Sequence, residues 1–197
     1  MIFENKYKDG IDLAINESTL NSVRIGSNEV EVGLGCISMN ENGEFPDDNR
    51  FKFIFHDFGR IALSFRRGLW DDESALIEKI DPSEIASKLN GLILDSMYGW
   101  EFIDLKENQF TSWSDKKSLD KVNKQNWSDM HTIDLFAEQD GAEPVTIDLR
   151  IWFADIQILD WNNSELSLDE FIQNGQRGWE QLYKTGITTT NNKISKL

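Results

Sequence analysis

Histidine and cysteine are scarce in this chain of 197 residues, which contains only His56, His131 and Cys36. A single cysteine cannot form an intramolecular disulfide, so the fold does not depend on oxidation, and this favours a cytoplasmic location. One cysteine and two well-separated histidines do not make a zinc site, and we expect neither a metal nor another cofactor. His131 falls at a predicted strand start, where packing against the core is the simpler interpretation. His56 falls in a predicted and more exposed turn, where Asp57 could orient it, but adjacent residues in a turn seldom form a catalytic dyad.

Long apolar runs are also missing. No stretch approaches the roughly 20 apolar residues of a membrane-spanning helix, and the segment MIFENKYK at the start lacks the apolar run of a signal peptide. No linker rich in Pro, Gly or Ser divides the chain. We therefore expect a soluble, non-membrane protein with one domain over residues 1–186 and a flexible tail over residues 187–197.

Basic residues are outnumbered, because 35 acidic and 20 basic residues give a formal net charge of −15. This balance disfavours binding to nucleic acid, whose phosphates attract Lys and Arg. It disfavours anionic membrane surfaces for the same reason. Two explanations of the acidity remain open, namely solubility of the free protein and attraction to a basic partner.

Motifs that carry common enzyme chemistry are absent. The sequence holds no GxxxxGK[ST] phosphate loop, no G-x-S-x-G elbow and no HExxH pair. Residues 160–164 place oxygen ligands as a calcium loop does, but Glu165 replaces the required glycine and Phe171 replaces the final glutamate. The segment is therefore predicted to be a polar turn, and we identify no catalytic residue.

Alternating apolar residues predict most of the β-structure. The pattern favours strands over residues 11–15, 23–25 and 30–36, and a hairpin of residues 51–55 and 61–65 around a turn at residues 56–59. The segment 100–105 also resembles a short strand. These segments predict a mainly antiparallel sheet.

The clearest hairpin signal comes from residues 131–136 and 145–153, which flank a turn with both Gly and Pro. Pairing Asp134 with Asp148 would oppose like charges, whereas pairing Asp134 with Arg150 is favourable, which predicts the second register and a loop of about six residues. After residue 153 the apolar positions change phase, and this predicts a β-bulge near residues 154–155.

Helix start and stop signals occur at three places. Asp71 and Asp72 can cap a short helix through residue 79, Asp81-Pro82 begins a second that ends before Gly99, and a third runs from Ser167 to Gly186. Residues 106–129 are predicted to be a long loop with a weak helix near 118–124. The expected fold is a single α+β domain, with the sheet packed against two or three helices.

The seven tryptophans and the acidic clusters provide the candidate contact residues. A tryptophan in the polar segment 106–129 is either tucked under the loop or exposed as an anchor for a partner. The outward face of the late hairpin would be a recognition surface if no helix covers it, and an acidic run would attract a basic partner. The residues predicted to contact a partner are Trp113, Trp127, Trp152, Arg150, Asp134, Asp71, Asp72 and Glu73.

In charge, size and its combination of aromatic and acidic residues, the chain resembles bacterial toxin-immunity proteins. The resemblance covers the whole chain and depends on composition, since no family-specific motif is present. It implies a non-enzymatic protein that binds and blocks a basic toxin. Two alternatives remain. One is a small-ligand binder or hydrolase, for example for a carbohydrate, with a pocket of Trp and carboxylates. The other is an oligomeric structural component that self-associates through an exposed strand edge or the tail. The oligomeric state is left open.

Overall fold

The computed structural model of the protein describes residues 5–94 and 101–186. In this part of the chain two antiparallel sheets pack with helices, which confirms the predicted α+β class. The strands are β1 (Thr19–Ile25), β2 (Glu29–Gly35), β3 (Arg50–His56), β4 (Arg60–Arg67), β5 (Leu76–Ile77), β6 (Leu119–Val122), β7 (His131–Gln139), β8 (Val145–Phe153), β9 (Asp155–Leu159) and β10 (Glu165–Leu166). The helices are α1 (Asn5–Ile15), α2 (Ile85–Leu89, after a 3-10 turn over Pro82–Glu84), α3 (Glu107–Thr111) and α4 (Leu168–Thr185).

The first sheet has the strand order β1-β2-β3-β9-β10, and the second has the order β5-β4-β8-β7 with β6 also paired to β4. Apolar residues of both sheets and of α1 and α4 form one main core. Phe53 of the first sheet lies 5.3 Å from Phe171 of α4, and Phe55 lies 4.9 Å from Phe153 of the second sheet, measured between ring centroids. The first sheet is thus held against both α4 and the second sheet.

The predicted hairpin of residues 51–65 is wrong, because β3 pairs with β2 and β9 whereas β4 pairs with β5, β6 and β8. The chain crosses between the sheets at Asp57, which has a φ of 52° in the left-handed region, and at Phe58, which is fully buried. Both strands point their apolar residues toward the same core. Their apolar and polar residues would therefore alternate in the same way whether or not the two strands pair with each other.

A second crossing lies beside the first. The phase change predicted as a β-bulge near Ala154 is the point where the chain leaves β8 in the second sheet and enters β9 in the first. The N–H of Ala154 donates to the carbonyl of His56 at 3.2 Å, and the N–H of Gly59 donates to the carbonyl of Trp152 at 2.8 Å. These bonds join the two crossings into one corner of the fold.

Three further predictions of local structure are wrong. Residues 11–15 belong to helix α1, where Ile11, Ala14 and Ile15 follow the helical spacing and are fully buried. Residues 71–79 form turns and β5 instead of a helix, since the carboxylate of Asp72 accepts from the N–H of Ser74 at 2.8 Å. The weak helix near 118–124 is strand β6, paired with β4.

The predicted hairpin register and the predicted ends of the last helix agree with the structure. Asp134 faces Arg150 in the β7–β8 hairpin, so the register chosen from charge is confirmed, and residues 140–144 connect the strands. Helix α4 is capped by the Ser167 hydroxyl, which accepts from the N–H of Glu170 at 3.2 Å, and ends at Gly186 with a φ of 70°.

The capping box of Asp81 is present, but α2 ends at residue 89, well before the predicted end near Gly99. In segment 100–105 only a bridge from Ile103 to Ile133 is found among the described residues. Gly99, residue 100 and the predicted tail 187–197 lie outside the described residues. Within the described ranges, no helix combines the length and apolar character that crossing a membrane requires.

Candidate functional site

The side of the second sheet that faces away from the main core is unusually charged. Alternate residues of β4, β7 and β8 point to this side, and we call it the outer face. A segment of residues 105–118, which includes α3, lies over part of it, and the Ser64 hydroxyl donates to the carbonyl of Lys116 at 2.7 Å. The outer face consists of Arg60, Ala62, Ser64, Arg66, Thr132, Asp134, Phe136, Glu138, Thr146, Asp148, Arg150 and Trp152.

At one end of this face, which we call the closed end, aromatic rings surround Arg60. The guanidinium lies 4.5 Å from the ring centre of Trp127 and 4.9 Å from that of Trp152, and it makes two bonds of 2.9 Å to the carboxylate of Asp120. Burial disfavours the charge on Asp120, but bonds from Arg60 and Lys117 outweigh it and hold the carboxyl pKa below its usual value. The closed end is a packed cluster whose charges are paired.

In the middle of the face, Arg150 lies between three acceptors. Its Nη2 donates to the carbonyl of Leu105 at 2.9 Å and to Oγ1 of Thr132 at 3.4 Å, and its Nη1 lies 3.6 Å from Oδ1 of Asp134. Burial raises the pKa of Asp134 to about 7 despite the attraction of Arg150. Among the described residues, Oδ2 of Asp134 and both Nε and Nη1 of Arg150 lack hydrogen-bond partners. Few polar atoms of this ion pair make hydrogen bonds, although both side chains are largely buried.

At the other end, which we call the open end, Arg66 and Asp148 form a buried ion pair. Nη2 of Arg66 lies 2.7 Å from Oδ2 of Asp148, and the two side chains are 5% and 14% exposed. Burial raises the pKa of Asp148 to about 6, although Arg66 and Lys116 act against it. Nε of Arg66 is buried without a hydrogen-bond partner among the described residues.

A cavity of about 640 Å³ opens over this ion pair. It adjoins a second cavity of about 450 Å³, with which it shares Ser112, Trp113, Phe136 and Asp148. This size is within the range of small-molecule sites in proteins. The larger cavity is lined by Arg66, Trp70, Ile93, Ser112, Trp113, Lys116, Phe136, Glu138, Asp140 and Asp148.

The mouth of the larger cavity carries both acidic and apolar side chains. Burial raises the pKa of Glu138, and the neighbouring carboxylates of Asp140 and Asp71 raise it further. Trp70 is 63% exposed and Ile93 is 69% exposed at the same mouth. We call Asp71, Glu138 and Asp140 the acidic rim.

The residues predicted to contact a partner fall into separate groups. Asp134 and Arg150 lie together on the outer face, as predicted. Trp113 and Trp152 are 7% and 1% exposed, so the tucked alternative describes them, and Trp127 is half-buried in the closed end. The condition for a free recognition surface fails at Trp152, because Phe110 of α3 packs against it at 5.3 Å.

The acidic run 71–73 lies in the connection from β4 to β5. Asp71 and Glu73 are exposed, whereas the carboxylate of Asp72 is held by the hydroxyl and N–H of Ser74, which lower its pKa. Of these three, Asp71 lies near enough to Glu138 to raise the pKa of that carboxyl. The run is therefore adjacent to the cavity mouth and distant in sequence from the hairpin.

The central residues of the open end are not among those predicted to contact a partner. Arg66 and Asp148 share the strand phase of Arg150, which is a usable signal, but they lie 82 residues apart and meet only because β4 pairs with β8. Trp70 and Phe136 gave no distinguishing signal, because exposure depends on what the neighbouring elements cover.

Other polar candidates have local roles. His131 lies 3.0 Å from the carboxylate of Asp104, and His56 contacts Gln157 at 3.3 Å. Cys36 is fully buried, which raises its pKa to about 12 and leaves the thiol unreactive. The carboxylate of Asp160 accepts two backbone N–H bonds of 2.8 Å in the predicted polar turn. Within the described ranges no cluster of three metal-ligating side chains occurs.

The open end therefore combines a recessed cavity with aromatic walls, donors and acceptors, and a negatively charged mouth with exposed apolar groups. Such an arrangement suits recognition of a ligand or partner. Comparison with protein-family models, with curated proteins and with solved structures finds no match to this chain.

Proposed function

We propose that this chain is a non-enzymatic, acidic binding protein that holds a basic protein partner at the mouth of the open end. The observation that carries the proposal is Trp70, a large aromatic side chain left 63% exposed beside the acidic rim. Tryptophan is among the residues that dominate binding energy at protein interfaces. An exposed indole does not stabilise the free protein through burial. A bound partner would bury it and stabilise the complex.

Further exposed apolar residues lie in the same part of the chain. Leu69 is 43% exposed in the connection that carries Trp70, and Leu76, the first residue of β5, is 66% exposed. Ile93 is 69% exposed at the cavity mouth. Scattered apolar residues on a surface need no explanation, but a group of them surrounded by charge is typical of interaction sites.

Charge supports a basic partner over an acidic one. The net charge of −15 attracts positively charged proteins over a distance, and the acidic rim concentrates this attraction at the mouth. Carboxylates that raise one another's pKa are relieved when a cation binds beside them. The proposed biological setting is neutralisation of a basic toxin in the bacterial cytoplasm, in keeping with the resemblance to immunity proteins.

Co-expression with the basic proteins encoded beside this chain in its source genome tests the proposal, with affinity measured on any purified complex. Trp70→Ala is expected to weaken binding about 30-fold, equivalent to about 2 kcal/mol. Trp161→Ala is the matched control, since Trp161 is 43% exposed and lines a different, smaller cavity. The association rate is expected to fall as salt concentration rises.

The proposal fails if none of these basic proteins forms a complex. It also fails if Trp161→Ala weakens the complex as much as Trp70→Ala does, since the interface would then lie elsewhere.

A further inference from the structure

We propose that the larger cavity of the open end binds a neutral, polyhydroxylated small molecule of monosaccharide or disaccharide size. This goes beyond the proposed function, because it concerns the interior of the cavity and not the protein partner at its mouth. The inference comes from the donors, acceptors and aromatic walls that converge there.

The donors come from Arg66 and Lys116. Nε of Arg66 is buried with no hydrogen-bond partner among the described residues, and the side chain is 5% exposed. A buried donor without an acceptor is costly for the free protein. Because Nε has almost no accessible surface, a ligand would reach Arg66 through the part of its side chain that lines the cavity. The ammonium of Lys116 lines the same cavity and offers further N–H donors.

The acceptors come from Asp148 and Glu138, which line the same cavity. Oδ2 of Asp148 binds Arg66, and burial raises the pKa of this carboxyl to about 6. Burial also raises the pKa of Glu138. A hydroxyl that donates to either carboxylate would replace part of the lost hydration.

The mixture of charges selects a neutral ligand. An anion would meet the carboxylates of Glu138, Asp140 and Asp148, and a cation would meet Arg66 and Lys116. A hydroxyl group both donates and accepts, so neighbouring hydroxyls of one molecule can bond a carboxylate and a guanidinium together without adding charge.

The walls and the size agree with this class of ligand. Trp70, Trp113 and Phe136 supply aromatic surface against which the C–H groups of a sugar ring can pack. The volume of about 640 Å³ is within the range of sites for small molecules. Trp113 is fixed in place by an edge-to-face contact with Phe110 at 4.9 Å, so this wall is formed before any ligand enters.

The test is a titration of the full chain with glucose, N-acetylglucosamine, galactose, maltose and cellobiose, followed by saturation-transfer NMR and calorimetry. At least one sugar is expected to bind with millimolar or tighter affinity. Phe136→Ala and Lys116→Met are each expected to weaken it about tenfold or more, and Trp161→Ala is expected to leave it unchanged. Thermal melting of each variant verifies that it is folded. If Phe136→Ala unfolds, Lys116→Met still tests the inference, because Lys116 is only half-buried and its replacement is expected to leave the fold intact.

Glycine, lysine and glutamate serve as charged and zwitterionic probes in the same titration. The inference is overturned if no sugar of the panel binds at tens of millimolar, if any of these three probes binds more tightly than every sugar, or if the cavity variants bind as the wild type does. None of these results depends on the protein partner, so they leave the proposed function standing.

Discussion

Two arginines of strand β4, Arg60 and Arg66, point to the same outer face and have opposite surroundings. Arg60 is held by Asp120 through two bonds and lies between the rings of Trp127 and Trp152. Arg66 has a single carboxylate partner, an unsatisfied Nε and a cavity in front of it. One strand thus carries a closed, self-satisfied cluster at one end and an open, partly satisfied site at the other.

The difference identifies which charged residues serve the fold and which are available for binding. A guanidinium whose donors and faces are occupied contributes packing and has little left to offer a ligand. A buried guanidinium left short of acceptors is tolerated where burial of the surrounding sheet stabilises the fold enough to offset it. We therefore expect changes in the packed closed end and in the buried ion pair to affect stability, and changes to the exposed residues of the open end to affect recognition.

The largest expected effect is loss of stability from Trp152→Ala in the closed end. Trp152 is 1% exposed and contacts Phe110 and Trp127, so its removal leaves a cavity and costs about 4 kcal/mol. Trp70→Ala at the open end is the matched control and is expected to change stability by less than about half a kcal/mol. Urea unfolding measures both, and equal losses would erase the distinction between the ends.

The next effect concerns the ion pair of the open end. Arg66→Met is expected to cost about 3 kcal/mol, because it leaves the buried carboxylate of Asp148 without its partner. Adding Asp148→Asn should recover at least half of this loss, since no uncompensated charge then remains.

At the closed end Asp120 is 28% exposed, so adding Asp120→Asn to Arg60→Met should recover little. A double-mutant cycle from urea unfolding measures both couplings. Additive losses at Arg66 and Asp148 would contradict the view that this pair is buried and mutually dependent.

A smaller effect is a pH dependence that originates in the middle of the outer face and at the open end. The folded-state pKa values of Asp134, about 7, and Asp148, about 6, lie above those of the unfolded chain. Between about pH 4 and pH 7 the folded protein therefore binds more protons than the unfolded chain, and its stability falls as pH rises.

Asp134→Asn should flatten the dependence of unfolding free energy on pH above about pH 5. Asp120→Asn is the control, because the pKa of Asp120 is lowered and its contribution is lost only at more acidic pH. The measurement is the unfolding free energy of the wild type and of both variants between about pH 4 and pH 7. A slope that stays the same in Asp134→Asn would mean that this carboxyl is not buried as described.

The smallest expected effect on stability comes from the acidic rim. Asp71→Asn combined with Asp140→Asn removes two exposed charges and should change the unfolding free energy by less than about half a kcal/mol. The same variant should slow association with a basic partner, most visibly at low salt. A loss of stability without a change in association rate would mean that the acidic rim stabilises the fold and does not attract a partner.

Local signals in the sequence predicted some elements well, and long-range pairing accounts for most errors. The register of Asp134 against Arg150 and the caps of α4 were predictable, because the residues that determine them lie within a few turns or one hairpin. The separation of β3 from β4 was not, because both strands face one core and their alternation carries no information on partners.

Contacts between residues close in sequence were also the predictable part of the candidate site. Arg150 and Asp134 belong to one hairpin and were found, whereas Arg66 and Asp148 meet across two distant strands. Strand β6 was mistaken for a helix because its residues lack strong alternation, and it is pairing with the edge of β4 that makes it extended. Burial of Trp152 depends on α3, whose Phe110 lies 42 positions earlier in the sequence (152 − 110).

The most direct test of the two-ended face is an NMR titration that follows the indole N–H signals of the tryptophans as a binding sugar from the panel is added. The account predicts that the signals of Trp70 and Trp113 shift, while those of Trp127 and Trp152 stay in place. Shifts centred on Trp127 and Trp152, or no shift at any tryptophan with the whole panel, would contradict it.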